Sequence, residues 1–309
     1  MHAIEYWAFS GVGRILRLLP LSLVRFVARA TADILFTLVP VRKKLTLDNL
    51  HASFPDFSEQ RVRGIAREAH RNLVTAIFEL MWTPRMTRER FSREVRIVNP
   101  EAIEEALKRG RGLVLMSGHF GNWEWLSIGS ALALGKKYTV IVHPPHNPRV
   151  AALIDRWRTS MGNRTVPMGV AVRDVVRTLR ERGIVAILAD QSGPGGGLFV
   201  DFFGRPAATY EGPAIFALKY GAPVLMGLGV RRDDGAYDVR LEPIPSDDLS
   251  GATDENIRIF TERHVKVLEQ GIRAHPGHWL WQHRRWKHSP PEAATLSPAA
   301  ERGEERHPR

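Results

Sequence analysis

The stretch Gly112 to Val142, GLVLMSGHFGNWEWLSIGSALALGKKYTVIV, decides the fold class because it contains a strand, a helix and a second strand in succession. The segments GLVLMS and YTVIV are short apolar runs, which predict buried strands. Residues 121–134 between them predict a helix. Two buried strands joined through a helix are typical of a parallel sheet with helices on its faces.

The same alternation continues on both sides of this stretch. Upstream, a helix is predicted over residues 59–82, with Ser58 as its N-cap, and a short one in EAIEEALKRGRG, ending at Gly110. Downstream, the predicted helices cover residues 148–161, 170–182, 211–220 and 254–273. The predicted strands are IVAILA, PVLMGLGV and YDVRLEPI, with RTVPM as a further short piece. We therefore predict an α/β fold whose central sheet is mostly parallel and is covered by helices on both faces.

A histidine follows the strand GLVLM directly, at the point where open α/β sheets gather functional groups. Gly118 and Gly121 allow the chain to turn sharply around His119. Glu124 falls in the first turn of the next helix, where we expect it to accept a hydrogen bond from the imidazole. Such a carboxylate fixes the tautomer and stabilises the imidazolium. The pair predicts a general base that activates a substrate hydroxyl for attack on an acyl carbonyl. A histidine that only caps the helix is the structural alternative.

Composition excludes several other chemistries. The 309-residue chain has no cysteine, so it has no thiolate nucleophile, disulfide or thiolate metal site. It has no Gly-x-Ser-x-Gly elbow and no His-Glu-x-x-His zinc motif, and the GPGGG segment lacks the lysine of a phosphate-binding loop. We expect no cofactor. The net charge of +11 favours anionic partners, which are nucleic acid, phosphorylated substrates or an anionic membrane.

Residues 1–44 are predicted to be helices that lie in a membrane interface. Arginines interrupt the apolar residues 4–39, which leaves no uncharged run of the roughly 18 residues that a spanning helix needs. Arg25, Arg29 and Asp33 follow at spacing four, so they share one helical face, and we expect the arginines to face lipid headgroups. The alternative is an amphipathic helix packed on the domain. Residues 45–288 are predicted to form the catalytic domain, and residues 289–309, rich in Pro, Ala and charge, a disordered tail.

The spacing His119-x4-Glu124 resembles the His-x4-Asp/Glu motif of the lysophospholipid acyltransferase superfamily. Its context resembles the bacterial lipid A late acyltransferases, of lauroyl and myristoyl type, and the related phosphatidylinositol mannoside acyltransferases. Four more stretches carry the resemblance, which spans about residues 45–287: DNLHASFPDFSEQ, RWRTSMG, ILADQSGPGGGLFVDFFGRPAATYEGPAIFALKYGAPV and HPGHWLWQHRRWK. The two longest blocks are specific, whereas His-x4-Glu alone is not.

The resemblance implies an acyltransferase on the cytoplasmic face of the bacterial inner membrane. It implies that a fatty acyl chain moves from an acyl thioester, usually on acyl carrier protein and alternatively on CoA, to a hydroxyl of a glycolipid. It also implies that no metal and no covalent acyl-enzyme takes part. The chain departs from the family in one place, since some members carry a recognisable N-terminal membrane span.

Residue roles follow from the motif and the resemblance. His119 is the expected general base, Glu124 orients it, and Arg158 is the family-matched residue for the oxyanion. Four residues are expected to bind substrate: Asn122, Arg156, Asp190 and Arg205. A solvated helix face is the alternative for the arginine pair 156 and 158, and a buried turn is the alternative for Asp190. The C-terminal tryptophans 279, 281 and 286 fit either an interfacial aromatic belt or the core.

Two functions of other classes stay open at this point. The segment HRRWKH suits a nucleic-acid binder whose tryptophans stack on bases, but the basic residues are scattered and no nucleic-acid module is recognisable, so we expect no nucleic-acid partner. A membrane-bound scaffold without catalysis is the second. Within the enzyme interpretation, the acceptor is a lipid A precursor or, alternatively, a phosphatidylinositol mannoside or another glycophospholipid.

Overall fold

A computed structural model describes residues 2–39 and 42–290 of the chain. Its helices are α1 (His2–Leu16), α2 (Leu21–Leu38), α3 (Lys43–Ser53), α4 (Glu59–Trp82), α5 (Arg88–Glu94), α6 (Glu101–Lys108), α7 (Trp123–Ala133), α8 (Pro148–Thr159), α9 (Ala171–Arg180), α10 (Gly212–Tyr220) and α11 (Asp254–Ala274). Its strands are β1 (Val95–Ile97), β2 (Leu113–Ser117), β3 (Tyr138–Val142), β4 (Arg164–Pro167), β5 (Ile184–Leu188), β6 (Leu198–Phe202), β7 (Arg205–Thr209), β8 (Val224–Arg231) and β9 (Tyr237–Ile244). The segment 291–309, which contains most of the predicted tail, lies outside the described residues.

The central sheet has seven strands within the described residues, in the order β1-β9-β8-β2-β5-β3-β4. All neighbours pair parallel except β8 and β9, which run antiparallel. Only a short turn joins these two strands, whereas a parallel connection needs a crossover of a dozen residues or more. The prediction of a mostly parallel sheet between helices is confirmed.

Side chains from the two faces of the sheet form two apolar clusters. The α7-side cluster contains the inner faces of α5, α6, α7 and α8 and the start of α2. The α11-side cluster contains residues of α9, α10 and α11 and of the separate hairpin β6–β7. Trp279 and Trp281 are fully buried, and Trp281 packs on Phe54 in the second cluster. These two tryptophans therefore belong to the core and not to an interfacial belt.

The face of α2 that carries Arg25, Arg29 and Asp33 packs inward on α4, which overturns the expectation that its arginines face headgroups. Arg25 donates to Glu79 at 2.6 Å, and Asp33 accepts from Arg71 at 2.7 Å. Arg29 and Arg67 complete this row by pairing with Glu68 and Asp33, respectively. The charges are matched across two helices, so they bind each other instead of an outside anion.

The opposite faces of α1 and α2 leave large apolar side chains exposed. On α2, Phe26 is 68% exposed and Leu38 is 72% exposed, and on α1, Trp7 is 58% exposed. Ile4, Ile15, Leu23 and Ile34 are exposed too. A row of this kind on adjacent helices exceeds the scattered apolar residues of an ordinary surface. Among the described residues, no helix combines the length and the apolarity that crossing a bilayer requires.

Candidate active site

The turn between β2 and α7, residues 118–123, which we call the site turn, places His119 at the carboxyl end of the central strand. Gly121 adopts φ +60°, and a Cβ there would lie 2.2 Å from the carbonyl oxygen of Gly229, so only glycine fits. The side chain of Asn122 caps α7 by accepting from the backbone N–H of Trp125 at 3.0 Å. These two residues therefore fix the second half of the turn, where it enters α7.

The carboxylate that holds His119 belongs to Asp190. Its Oδ1 lies 2.8 Å from Nδ1 of the imidazole, and its Oδ2 accepts from the backbone N–H of His119 at 2.8 Å. Trp279 Nε1 donates to the same Oδ2 at 2.9 Å. Burial alone would raise the pKa of Asp190, but the attraction of His119 and these hydrogen bonds lower the pKa to about 2. An ionised Asp190 requires a proton on Nδ1, which leaves Nε2 as the basic nitrogen.

Glu124 does not make the expected hydrogen bond to the imidazole. Its two carboxylate oxygens accept from Arg158, Oε2 from Nε at 2.7 Å and Oε1 from Nη2 at 2.5 Å. The carboxylate matches the guanidinium fork in a bidentate pair, which is a stronger partner than a neutral ring. Burial would lower the pKa of Arg158, but the hydrogen bond and charge of Glu124 outweigh it and raise the pKa. The role of Glu124 as the orienter of His119 is wrong, because Asp190 occupies that position.

The exposed side of the imidazole faces a polar and an aromatic neighbour. The amide nitrogen of Gln191 lies 3.3 Å from Nε2 of His119, a separation that suits a weak N–H donor to an unprotonated nitrogen. The ring of Trp123 meets the imidazole edge to face, with 4.9 Å between centroids. Neither contact competes with a substrate hydroxyl as strongly as a charged partner would.

A cavity of about 320 Å³ starts at His119 and runs between the sheet and α7. His119, Gln191, Glu124 and Arg158 are among its polar lining residues. Deeper in, the lining is apolar and comes from five strands and α6, with Ile97, Ile103, Leu115, Val140, Ala186, Val239 and Leu241. Tyr138, at the start of β3, lies at the end away from His119, since it pairs in register with Ile184 and that residue with Leu113. The cavity therefore has a polar mouth and a long apolar interior.

Small residues make room for this cavity. Ala186 and Gly227 lie on the α7-facing side of β5 and β8, where Ile184 and Leu225 stand two positions before them. A Cβ on Gly227 would be 3.1 Å from a methyl of Leu241. The sequence contains these residues within apolar runs, so the periodicity of the strands predicts their burial but not the space beside them.

The remaining predicted substrate-binding residues take different places. Asn122 is fully buried, and its amide is used by Trp125 and by Glu79, so it shapes the site turn and does not reach a substrate. Arg156 is exposed on α8 and does not line the cavity. Arg205, at the far end of the hairpin β6–β7, stacks on Trp286 with its guanidinium 3.6 Å from the ring centroid and also lies outside the cavity lining. Within residues 2–39 and 42–290, no three His, Asp or Glu side chains are arranged to hold a metal ion.

The comparison with known proteins agrees with the resemblance in the sequence. The profile of the bacterial lipid A biosynthesis acyltransferase family matches residues 1–288. The chain belongs to this family. As a lipid A acyltransferase family member, it is an enzyme that transfers acyl groups, and the family includes proteins acting on lipid A or on phosphatidylinositol mannoside.

Relatives of both kinds are recognisable at low identity. The family member "Lipid A biosynthesis lauroyltransferase" of Escherichia coli (strain K12) is 24% identical over 92% of each chain. The "Lipid A biosynthesis palmitoleoyltransferase" of the same strain is 25% identical over 82% of each chain. A "Phosphatidylinositol mannoside acyltransferase" of Mycobacterium tuberculosis (strain CDC 1551 / Oshkosh) is 25% identical over 67% of this chain and 66% of its own. The two lipid A enzymes match over a longer part of the chain.

Proposed function

We propose that this acyltransferase moves a fatty acyl chain from an acyl thioester to a hydroxyl of a lipid A precursor or a similar glycolipid, at the cytoplasmic face of the bacterial inner membrane. The observation that carries the proposal is the cavity that joins His119 to a long apolar interior. An apolar interior suits a hydrocarbon chain, and the polar mouth suits the thioester carbonyl. The donor is acyl carrier protein or CoA, since both present the acyl chain as a thioester.

His119 acts as the general base in this reaction. The hydroxyl of the acceptor donates to Nε2, its oxygen attacks the thioester carbonyl carbon, and Nε2 takes the proton. The tetrahedral intermediate then collapses, the carbon–sulfur bond breaks, and the departing thiolate takes the proton from Nε2. Asp190 stabilises the imidazolium that exists between the two steps, because its buried charge lies 2.8 Å from Nδ1. The products are an ester and a free thiol, and no acyl-enzyme forms.

The oxyanion of the intermediate needs a fixed donor, and Arg158 supplies it. Arg158 lines the mouth of the cavity, and Glu124 holds its Nε and Nη2 atoms. Within the part of the chain that the structure describes, its Nη1 group makes no hydrogen bond, which leaves that group for the substrate. A guanidinium held in place before the reaction stabilises developing charge without reorganisation.

The exposed apolar faces of α1 and α2 bring the enzyme to the membrane that holds its acceptor. Asn147, at the start of α8, donates to the backbone oxygen of His2 at 2.8 Å, and His143 in the same connection lines the cavity. The start of α1 therefore lies beside the cavity mouth. Apolar side chains there enter the lipid boundary, and the net charge of +11 adds attraction to anionic headgroups.

A direct assay tests the proposal. The purified full chain is incubated with labelled acyl carrier protein thioesters or acyl-CoA and, in parallel, with a lipid A precursor or a phosphatidylinositol mannoside in vesicles. We expect ester formation on the lipid A precursor by the wild type and none above background by His119→Ala. Preferential acylation of the phosphatidylinositol mannoside would identify that lipid as the acceptor instead of the lipid A precursor. Wild-type turnover by His119→Ala would refute the mechanism.

A further inference from the structure

A buried ionic cluster lies under the site turn, on the side away from the cavity. Its centre is Glu79 near the end of α4, whose side chain is fully buried. Arg231 of β8 donates to it at 2.8 Å and Tyr237 of β9 at 2.7 Å. Burial would raise the pKa of Glu79, but the charges of Arg231 and Arg25 lower it, so the carboxylate is ionised.

The cluster reaches the site turn through Asn122. The amide nitrogen of Asn122 donates to Oε2 of Glu79 at 2.8 Å, while its amide oxygen accepts from the N–H of Trp125 at 3.0 Å. Because the two ends of an amide have opposite roles, the bond to Glu79 decides which end caps α7. Asn72, also on α4, donates to the carbonyl oxygen of Gly121 at 3.0 Å. Helix α4 therefore sets the backbone of the turn that carries His119 and the first turn of the helix that carries Glu124.

Helix α2 supplies the second cation of the cluster. The Nε atom of Arg25 donates to Oε1 of Glu79 at 2.6 Å, and its Nη2 atom donates to Glu94 at 2.7 Å. A Cβ on Gly235 would lie 2.7 Å from Nη1 of Arg25, so the β8–β9 turn closes over the guanidinium. Arg25 and Arg231 thus face Glu79 and Glu94, and Arg90 lies 3.9 Å from Glu94 at the outer edge of the cluster.

We infer that Glu79 and Arg25 are positioning residues for catalysis, acting on the site turn through Asn122. Helix α2, whose outer face is apolar, thereby belongs to the catalytic apparatus as well as to the membrane-facing surface. The inference rests on the proposed function of His119. In this inference, the hydrogen-bonded series Arg25–Glu79–Asn122 sets the positions of His119 and of the Glu124–Arg158 pair. A displacement of about 1 Å at reacting atoms costs on the order of 10²-fold in rate. Substitutions in these three residues should therefore lower kcat measurably.

The experiment reverses one hydrogen bond. In Asn122→Asp the cap on α7 is kept, because Asp and Asn cap equally well, but a carboxylate now faces the carboxylate of Glu79. In Glu79→Gln the single amide oxygen can accept either from Asn122 or from Arg25 and Arg231, so the NH₂ group meets donors on the other side and one of these bonds is lost. In the double variant Glu79→Gln/Asn122→Asp the amide of residue 79 donates to the carboxylate of residue 122, and the cluster keeps its net charge. We expect each single variant to lose about tenfold or more in kcat with KM within about twofold, and the double variant to recover most of the loss.

A second pair of variants tests helix α2. Arg25→Gln removes one cation from Glu79, whereas the matched control Arg29→Gln, one turn further along the same face, removes a half-exposed partner of Glu68 that makes no contact with the site turn. We expect kcat to fall about tenfold in the first and to stay within about twofold in the second. Vesicle flotation and the unfolding temperature are measured on every variant, so that loss of membrane binding or of folded protein is separated from loss of turnover.

Additive losses in the double variant, or wild-type kcat in Asn122→Asp and Arg25→Gln, would overturn the inference. The His119→Ala variant is run beside them. If it is as active as the wild type, the proposed function has failed, whereas an inactive His119→Ala with unaffected cluster variants refutes the positioning role alone. Variants that fold poorly are compared at a temperature at which each is folded, and the recovery in the double variant then decides.

Discussion

Asp190 holds His119 by two hydrogen bonds of 2.8 Å, one to the ring nitrogen Nδ1 and one to the backbone N–H. The carboxylate is fully buried and ionised, and it lies at the end of the strand next to the one that carries the histidine. One side chain thus fixes both the position of the ring and its tautomer.

Asp190→Asn should lower kcat by about 10²-fold or more while KM changes little. An amide in this position must place its NH₂ group against Nδ1–H or against the N–H groups of His119 and Trp279, so one donor pair is left in conflict. Steady-state kinetics with one donor and one acceptor check this. Gln191→Ala is the control on the other ring nitrogen, and an Asp190→Asn enzyme more active than that control would contradict the assignment.

Arg158→Lys should lose about 10²-fold in kcat although it keeps the charge. Lysine cannot match the two oxygens of Glu124 and present a further N–H to the oxyanion. Arg156→Lys is the matched control, because Arg156 is exposed two residues away on the same helix. Equal losses in both variants would place the effect on helix α8 as a whole instead of on the oxyanion.

Ala186→Leu should shift the enzyme towards shorter acyl chains. The added atoms enter the empty space between the sheet and α7, so the fold accepts them more easily than a filled core would. Relative kcat/KM for thioesters of increasing chain length measures the shift. Val185→Leu places the same side chain on the opposite face of the same strand, outside the cavity lining, and should leave the order of preference unchanged.

Replacing Trp7, Phe26 and Leu38 together with Gln should weaken binding to vesicles of neutral lipid. The three side chains are exposed, so the loss of apolar contact with lipid is not accompanied by a loss of core packing. Flotation at low and at high salt measures the binding. If the triple variant floats like the wild type, lipid contact lies elsewhere on the surface.

The free energy of unfolding should fall as the pH drops below about 6.5, the ordinary pKa of histidine, and His264 should contribute to this loss. Burial, with the nearby charge of Arg285, lowers the pKa of His264 to about 3. The unfolded chain therefore binds a proton between these values that the folded chain does not, and protonation favours unfolding by about 1.4 kcal/mol per pH unit. The free energy of unfolding is measured with urea between pH 7 and pH 5. It should change less per pH unit in His264→Leu than in the wild type, and an equal change in both proteins would contradict the burial effect.

Local patterns in the sequence were enough to predict most of the sheet and the place of His119. Helix α4 begins after Ser58, which accepts from the N–H of Arg61, and His119 follows β2 as expected. The short strand β1 and the hairpin β6–β7 were not predicted, because three residues of Val-Arg-Ile and a run broken by Gly204 carry little periodicity.

The partners of charged side chains were harder to predict than the elements. Glu124 is close to His119 along the chain, but Asp190 is closer in space. Ser117 pairs with Leu188 across neighbouring strands, and His119 and Asp190 each lie two residues after their member of this pair. That register depends on the strand order, which a single sequence does not reveal. The arginines of α2 were assigned to headgroups for the same reason, as Glu79 and Glu94 lie 54 and 69 residues away in the chain.

The two apolar clusters on opposite faces of the sheet have different roles. Most of the apolar lining of the cavity belongs to the α7-side cluster, and the α11-side cluster contributes Met116, Ile141 and Ile187. Selection for a new chain length can therefore act on one face of the sheet while the other maintains the fold. An acyltransferase built in this way can change its lipid product through a few substitutions on one side.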